Sequence, residues 1–235
     1  MTVMVLDVRP LTAYEAGHIP GAVHLDPEHD LSAIGPDPTV GGRHPLPGDA
    51  QLEQVFAHAG IGPDHFVLAV DEGTGWAARC WWLLRHVGHD AAGTLDMSGY
   101  LGPLSTGSVA PPRRAFRAAP RKGDTITAEE ILSRLGDRSL TLLDARSRTR
   151  WLGEEEPLDP VAGRIPGAVN APFAEPLPAG AEAATEVVSY CGSGVTACVV
   201  AQKLVLAGRD DVRLYPGSFS EWCRREGYPI EKGTP

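Results

Sequence analysis

Short β-branched runs alternate with longer apolar stretches along this chain. Val3 to Val8, Val67 to Asp71, Leu140 to Leu143 and Glu186 to Tyr190 are each compact and bounded by polar or turn-forming residues. Runs of this length and composition read as buried strands. Behind the last of them, Val195 to Ala207 is apolar almost throughout and free of proline, which predicts a largely buried helix. Strand alternating with helix implies an α/β fold whose parallel sheet carries helices on both faces.

The pattern occurs twice. Val3 to Val8 leads through Arg9-Pro10 to His18-Ile19-Pro20-Gly21-Ala22-Val23, and Leu140 to Arg146 leads to Arg164-Ile165-Pro166-Gly167-Ala168-Val169. Val67 to Asp71 matches Val187 to Cys191. The helices behind align without gaps, so that Gly73, Gly75, Ala77 and Gly88 match Ser193, Val195, Ala197 and Gly208. Leu95 to Tyr100 and Leu214 to Phe219 close the two copies. A repeat of one α/β unit is the simplest account. The proline-containing stretch with Arg113, Arg114, Arg117, Arg121 and Lys122 reads as a connector packing along an acidic surface. The expected domains are residues 1–103 and 124–235, joined by 104–123.

The copies differ where chemistry would reside. Cys191 stands at the strand–loop–helix junction of the second copy, and the first has Asp71 there. A buried, inert cysteine is the default for a free thiol. The glycines around Cys191 and the N–H donors of a helix start point instead to a stabilised thiolate. Six residues, Cys191 to Thr196, can aim N–H groups at the sulfur, as an oxyanion hole does. A cysteine phosphatase loop needs an arginine six positions after the cysteine, and Ala197 occupies that position. The first copy cannot run thiol chemistry and is expected to be a structural partner walling the site.

Together these features resemble the tandem-domain rhodanese family of sulfurtransferases, over essentially the whole chain. The resemblance rests on His18-Ile19-Pro20-Gly21-Ala22, Ala77-Ala78-Arg79 with Trp81-Trp82, Asp144-Ala145-Arg146, and Cys191-Gly192-Ser193-Gly194-Val195-Thr196. It implies two rhodanese-like domains and transfer of sulfur through a Cys191 persulfide to a thiol acceptor or cyanide. The thiol acceptor would be a thioredoxin-like protein or a low-molecular-weight thiol. The loop is closer to the 3-mercaptopyruvate branch, in which Gly192, Gly194, Val195 and Thr196 would line the substrate. In that branch Ser193 and His44 form a relay with an acid, which falls on Glu28 with Asp26 and Asp30 nearby. Arg150 matches a substrate-gripping arginine and is otherwise a surface ion-pair residue. A second arginine usual in a Glu-Pro-Arg segment is absent, because the chain reads Glu156-Pro157-Leu158. Arg164 replaces the usual histidine and is expected to be structural.

The choice of donor is argued from charge. Gly192 to Ala201 contains no cation, which favours a monoanionic 2-oxo acid over thiosulfate. Two alternatives stay open: thiosulfate:cyanide transfer, and a persulfide carrier that turns over no small donor. The net charge of −9 argues against general nucleic-acid binding. No apolar run approaches a membrane span, and the N-terminus carries no signal-peptide pattern. The four cysteines show no close metal-ligand spacing or disulfide-scaffold density. The expectation is a cytoplasmic enzyme without metal or cofactor, with Cys80 and Cys198 packed inside.

Overall fold

Asp7 and Asp144 end the first strand of each copy, and what they do there sets both domains. The Asp7 carboxylate accepts from Arg9 N (3.1 Å), Nε (2.9 Å) and Nη2 (2.7 Å), and Arg9 Nη2 also reaches Gly17 O at 2.7 Å. Asp144 holds Arg146 in the same way, and Arg146 Nη2 donates to Gly163 O at 2.7 Å. Each buried arginine thus ties the strand end to the loop that precedes Ile-Pro-Gly-Ala-Val.

The chain is described by a computed structural model over residues 1–234. It forms two units: Met1–Ala33 with Leu46–Arg121, and Ile34–Pro45 with Lys122–Pro235. In the first, β1 (Thr2–Asp7), α1 (Leu11–Ala16), β2 (Val23–His24), α2 (Asp49–His58), β3 (His65–Asp71), α3 (Trp76–His86) and β4 (Ala92–Asp96) build a parallel sheet of order β2-β1-β3-β4. In the second, α4 (Ala128–Ser133), β5 (Leu140–Asp144), α5 (Arg148–Leu152), β6 (Val169–Asn170), β7 (Glu186–Tyr190), α6 (Ala197–Leu206), β8 (Arg213–Leu214) and α7 (Ser218–Trp222) give the order β6-β5-β7-β8. Both are α/β units in which helices flank a four-stranded parallel sheet.

The central strands are apolar because neighbours cover both faces. Leu6, Val67, Ala69 and Val70 are fully buried in the first unit, and Leu142, Val188, Tyr190, Tyr215, Phe219 and Trp222 pack together in the second. The repeated Ile-Pro-Gly-Ala segments are anchored alike. Tyr14 Oη donates to Ala22 O at 2.8 Å, and Trp151 Nε1 to Ala168 O at 2.9 Å. His18 stacks on Tyr14 and pairs antiparallel with Ser105. Arg164 lies over the Trp151 ring at 3.9 Å, pairs antiparallel with Glu231, and donates to Gly233 O at 2.8 Å. Arg164 is therefore a buried structural anchor.

Three expectations shift. The helix expected from Val195 begins at Ala197, because Cys198 N and Val199 N reach back only three residues, to Val195 O (3.0 Å) and Thr196 O (3.1 Å). The first unit runs past the expected boundary at residue 103. Arg114 N, Ala119 N and Arg121 N donate to Ala57 O, Val87 O and His86 O at the ends of α2 and α3, so residues up to Arg121 belong to the first unit. Residues 34–45, counted by sequence in the first copy, belong to the second unit. Among the described residues no helix is long and apolar enough to cross a membrane, and no group of three His, Cys, Asp or Glu could hold a metal ion.

Candidate active site

β7 runs between β5 and β8 and delivers Cys191 at its carboxyl end. That is where open parallel sheets bind ligands, because backbone N–H groups leave the ladder there. The Cys191 residue is 2% exposed. Its Sγ accepts hydrogen bonds from Gly194 N at 3.1 Å and Ser193 N at 3.4 Å. These donors belong to the loop, three and four residues ahead of α6, so the sulfur is held by its own turn rather than by the first turn of a helix.

The loop backbone is itself held from outside. Cys191 N donates to Ser218 Oγ at 3.1 Å. Phe219 N donates to Cys191 O at 3.0 Å, and Ser220 N to Gly192 O at 2.9 Å. On the far side, Cys198 Sγ donates to Gly194 O at 3.3 Å. Nothing in the sequence pattern singled out the Gly217-Ser218-Phe219-Ser220 turn beyond its place at the end of the repeat.

Ser193 and His44 come together as the motif comparison expected. His44 Nδ1 lies 2.8 Å from Ser193 Oγ, within the second unit. The preceding backbone explains this placement. Arg43 N donates to Ser220 Oγ at 3.0 Å, and Gly42, with φ +77°, lies so close to Gly217 O and Ser220 Oγ that any side chain would collide. The acids considered as support for His44 lie in the first unit. Asp26 accepts from Glu28 N (2.9 Å), His29 N (2.9 Å) and His29 Nδ1 (3.0 Å), Asp30 accepts from Asp26 N at 2.7 Å, and Glu28 is exposed. The Asp26 and Asp30 contacts organise their own loop.

Arg150 projects from α5 into a buried charge cluster. Its Nη2 and Nε donate to Glu156 at 2.7 and 3.1 Å, and Nη2 is 3.6 Å from Asp159 Oδ2. Asp159 has a fully buried carboxylate. Its Oδ1 pairs with Arg43 and accepts from Arg224 Nη1 at 2.7 Å, while Oδ2 accepts no hydrogen bond. Sequence reasoning missed Asp159, Arg43 and Arg224. Asp159 looks like an ordinary Asp-Pro turn residue, and the one available signal for Arg43 was its place beside His44. A methyl group on Gly192 would lie 3.1 Å from Arg43 Nη2 and 3.2 Å from Arg150 Nη2. The loop contains no cation, yet two guanidiniums border it. The argument from a cation-free loop therefore does not describe the assembled site. Leu158, at the place of the absent second arginine, is exposed.

Gly192, Gly194 and Val195 are buried around the sulfur, and Thr196 is half-buried at the step into α6. The remaining thiols are poorly disposed to react. Burial pushes the Cys80 thiol up to about 12. Cys198 is fully buried, and burial together with the nearby Asp159 charge raises Cys223 above its ordinary value.

Comparison with known proteins identifies the ensemble. A family model described as "Rhodanese-like domain" matches residues 1–98 and again 127–225. A Pseudomonas aeruginosa protein named "Probable 3-mercaptopyruvate sulfurtransferase" is 38% identical over 94% of this chain and 86% of its own length. The thiosulfate sulfurtransferase of Rattus norvegicus is 30% identical over 90% of this chain and 79% of its own length. The structure of SseA from Escherichia coli, titled as a 3-mercaptopyruvate sulfotransferase, matches with a TM-score of 0.77 and 28% identity, covering 93% of each chain.

Proposed function

The chain belongs to the rhodanese-like family and is a sulfurtransferase, and from that premise we propose that Cys191 carries the sulfur as a persulfide taken preferentially from 3-mercaptopyruvate. The observation that carries this reading is a thiol met by two loop N–H groups, with Ser193 and His44 paired beside it. The Cys191 thiolate attacks the donor sulfur. A sulfur–sulfur bond forms as the carbon–sulfur bond breaks, and its electron pair passes to C3 as the enolate of pyruvate. The proton of the donor thiol ends on that carbon. With Nδ1 of His44 accepting from the Ser193 hydroxyl, the pair can take up the thiol proton and pass it on to that carbon. An acceptor thiolate or cyanide then attacks the outer sulfur, and Cys191 leaves as a thiolate held by the same N–H groups. The acceptor is a small thiol, a thioredoxin-like protein or cyanide.

Arg43 and Arg150, bordering Gly192, hold the donor's anionic end. Around them four arginines (43, 146, 150 and 224) face three carboxylates (Asp144, Glu156 and Asp159), leaving one positive charge. A single surplus charge suits a carboxylate monoanion. The two guanidiniums at one loop are also what favours the second reading, thiosulfate as donor. Intact mass after brief exposure to each donor separates the two. Wild type gains ~32 Da, one sulfur, as expected for covalent catalysis, faster from 3-mercaptopyruvate, and Cys191→Ser gains nothing. Faster loading by thiosulfate replaces the donor. Loading from neither, in a protein that still accepts sulfur from a persulfide, makes it a carrier. Activity in a cytoplasmic fraction would test the expected location.

A further inference from the structure

We propose that Ser218 is a positioning residue for the nucleophile: its hydroxyl takes up the Cys191 N–H and so fixes the peptide from which the sulfur-facing turn departs. The inference rests on the reading of Cys191 as the sulfur carrier. It starts from an unusual backbone. Ser218 is the one non-glycine residue with positive φ among the described residues, at +54°. For an L-residue this conformation costs roughly 1–2 kcal/mol. Gly217, which would adopt it freely, sits one position earlier at φ −62°. The strain therefore falls on a side chain that is fully buried, and strained residues persist where surrounding contacts determine them.

Those contacts join Cys191 to Tyr215. The pairing of β7 with β8 stops at Ser189–Leu214, so Cys191 has left that ladder. Its N–H goes instead to Ser218 Oγ at 3.1 Å, and the same hydroxyl donates to Tyr215 O at 2.9 Å. With its proton committed to Tyr215, the oxygen presents lone pairs to Cys191. The next two residues complete the grip: Phe219 N holds Cys191 O and Ser220 N holds Gly192 O. Three backbone groups of the loop are thereby fixed, and the peptide planes that aim Ser193 N and Gly194 N at Sγ follow from them. In the first unit the corresponding pairing runs on through Asp71–Asp96 and needs no such device.

The test separates hydroxyl from strain. Ser218→Gly removes the acceptor and relaxes the backbone, whereas Ser218→Ala removes the acceptor and keeps the strain. The expected result for Ser218→Gly is a melting temperature within a few degrees of wild type, with a rate of sulfur transfer and of iodoacetamide labelling at Cys191 lower by roughly tenfold, the worth of one buried hydrogen bond. KM for the donor stays unchanged, because donor binding lies elsewhere. Ser218→Ala shows the same rate loss with a lower melting temperature, and if it fails to fold, Ser218→Gly decides alone. Wild-type labelling and transfer in Ser218→Gly would overturn the proposal, as would a loss confined to KM. Labelling needs no sulfur donor, so it tests Ser218 even where no donor loads Cys191.

Discussion

The two aligned loops solve the same backbone problem with opposite consequences. At the end of β3, Asp71 turns its carboxylate into its own loop, accepting from Gly73 N (3.1 Å), Thr74 Oγ1 (2.9 Å), Gly75 N (2.8 Å) and Ala77 N (3.1 Å). At the end of β7, Cys191 offers its loop a single sulfur, which accepts from Gly194 N at 3.1 Å and Ser193 N at 3.4 Å. The Asp71 carboxylate is seated in its loop and saturates it. The Cys191 loop holds a thiol, which on the proposed mechanism takes up a sulfur and gives it away. A loop that stabilises an anion becomes a catalytic loop only when that anion can react and leave. Cys191→Asp converts the second loop to the first. It should keep the fold and reduce sulfur transfer by at least ~10³-fold, as loss of a nucleophile does. Retained turnover on any donor would show that another thiol carries the sulfur.

A change at the first loop should register in stability and leave catalysis alone. Asp71→Ala strands buried N–H groups that the carboxylate now satisfies. At about 1–3 kcal/mol for a buried donor left unpaired, with water recovering part of the loss, the first unit should lose about 2–4 kcal/mol. That would appear as a lowered denaturant midpoint, while persulfide formation at 25 °C stays near wild type. An unchanged midpoint would mean that the carboxylate is incidental to the loop.

Much of this contrast was legible in the sequence, and what was not has a physical reason. Strand ends at Asp7, Asp71, Asp144 and Cys191 follow from β-branched runs stopping at residues that cap loops or face a site. The repeat and the Asp71/Cys191 exchange follow from alignment alone. The pairing of His44 with Ser193, 149 positions apart, came from family resemblance and from no local pattern. Asp159 could not be read at all and Arg43 only from its place beside His44, because a buried charge is revealed by its partners, and these are brought in from distant segments. The true start of α6 at Ala197 was hidden because Val195 is apolar and also buried, so periodicity could not separate a loop residue from a helical one. Ser218 gave no sign, since hydrophobic patterning carries no information about φ.

The next position sharpens the comparison. Gly192 has two guanidiniums at 3.1 and 3.2 Å from where a methyl would stand, closer than ordinary van der Waals contact. Gly192→Ala should push them aside by a few tenths of an ångström, raising donor KM by roughly 3–10-fold, since misplacing charge-assisted contacts forfeits part of their strength. The melting temperature should hardly move, because both side chains are flexible and keep Glu156 and Asp159. A fall in kcat at unchanged KM would locate the guanidiniums on the sulfur instead of on the donor's anionic end.

The aligned residue in the first loop is Glu72, and its substitution should have the smallest effect of all. Its carboxylate pairs with Arg9 Nη1 at 2.9 Å, but the side chain is 53% exposed. Arg9 keeps its contacts with Asp7 and Gly17 without it. An exposed pair of this kind contributes about 0–1 kcal/mol, so Glu72→Ala should shift stability by less than about 1 kcal/mol and leave sulfur transfer unchanged. The same alanine is thus expected to be nearly silent at position 72 and to impair donor binding at position 192. If Glu72→Ala instead matched Gly192→Ala in its effect on KM, the first loop would have a part in catalysis, and the contrast between a saturated loop and a working one would fail.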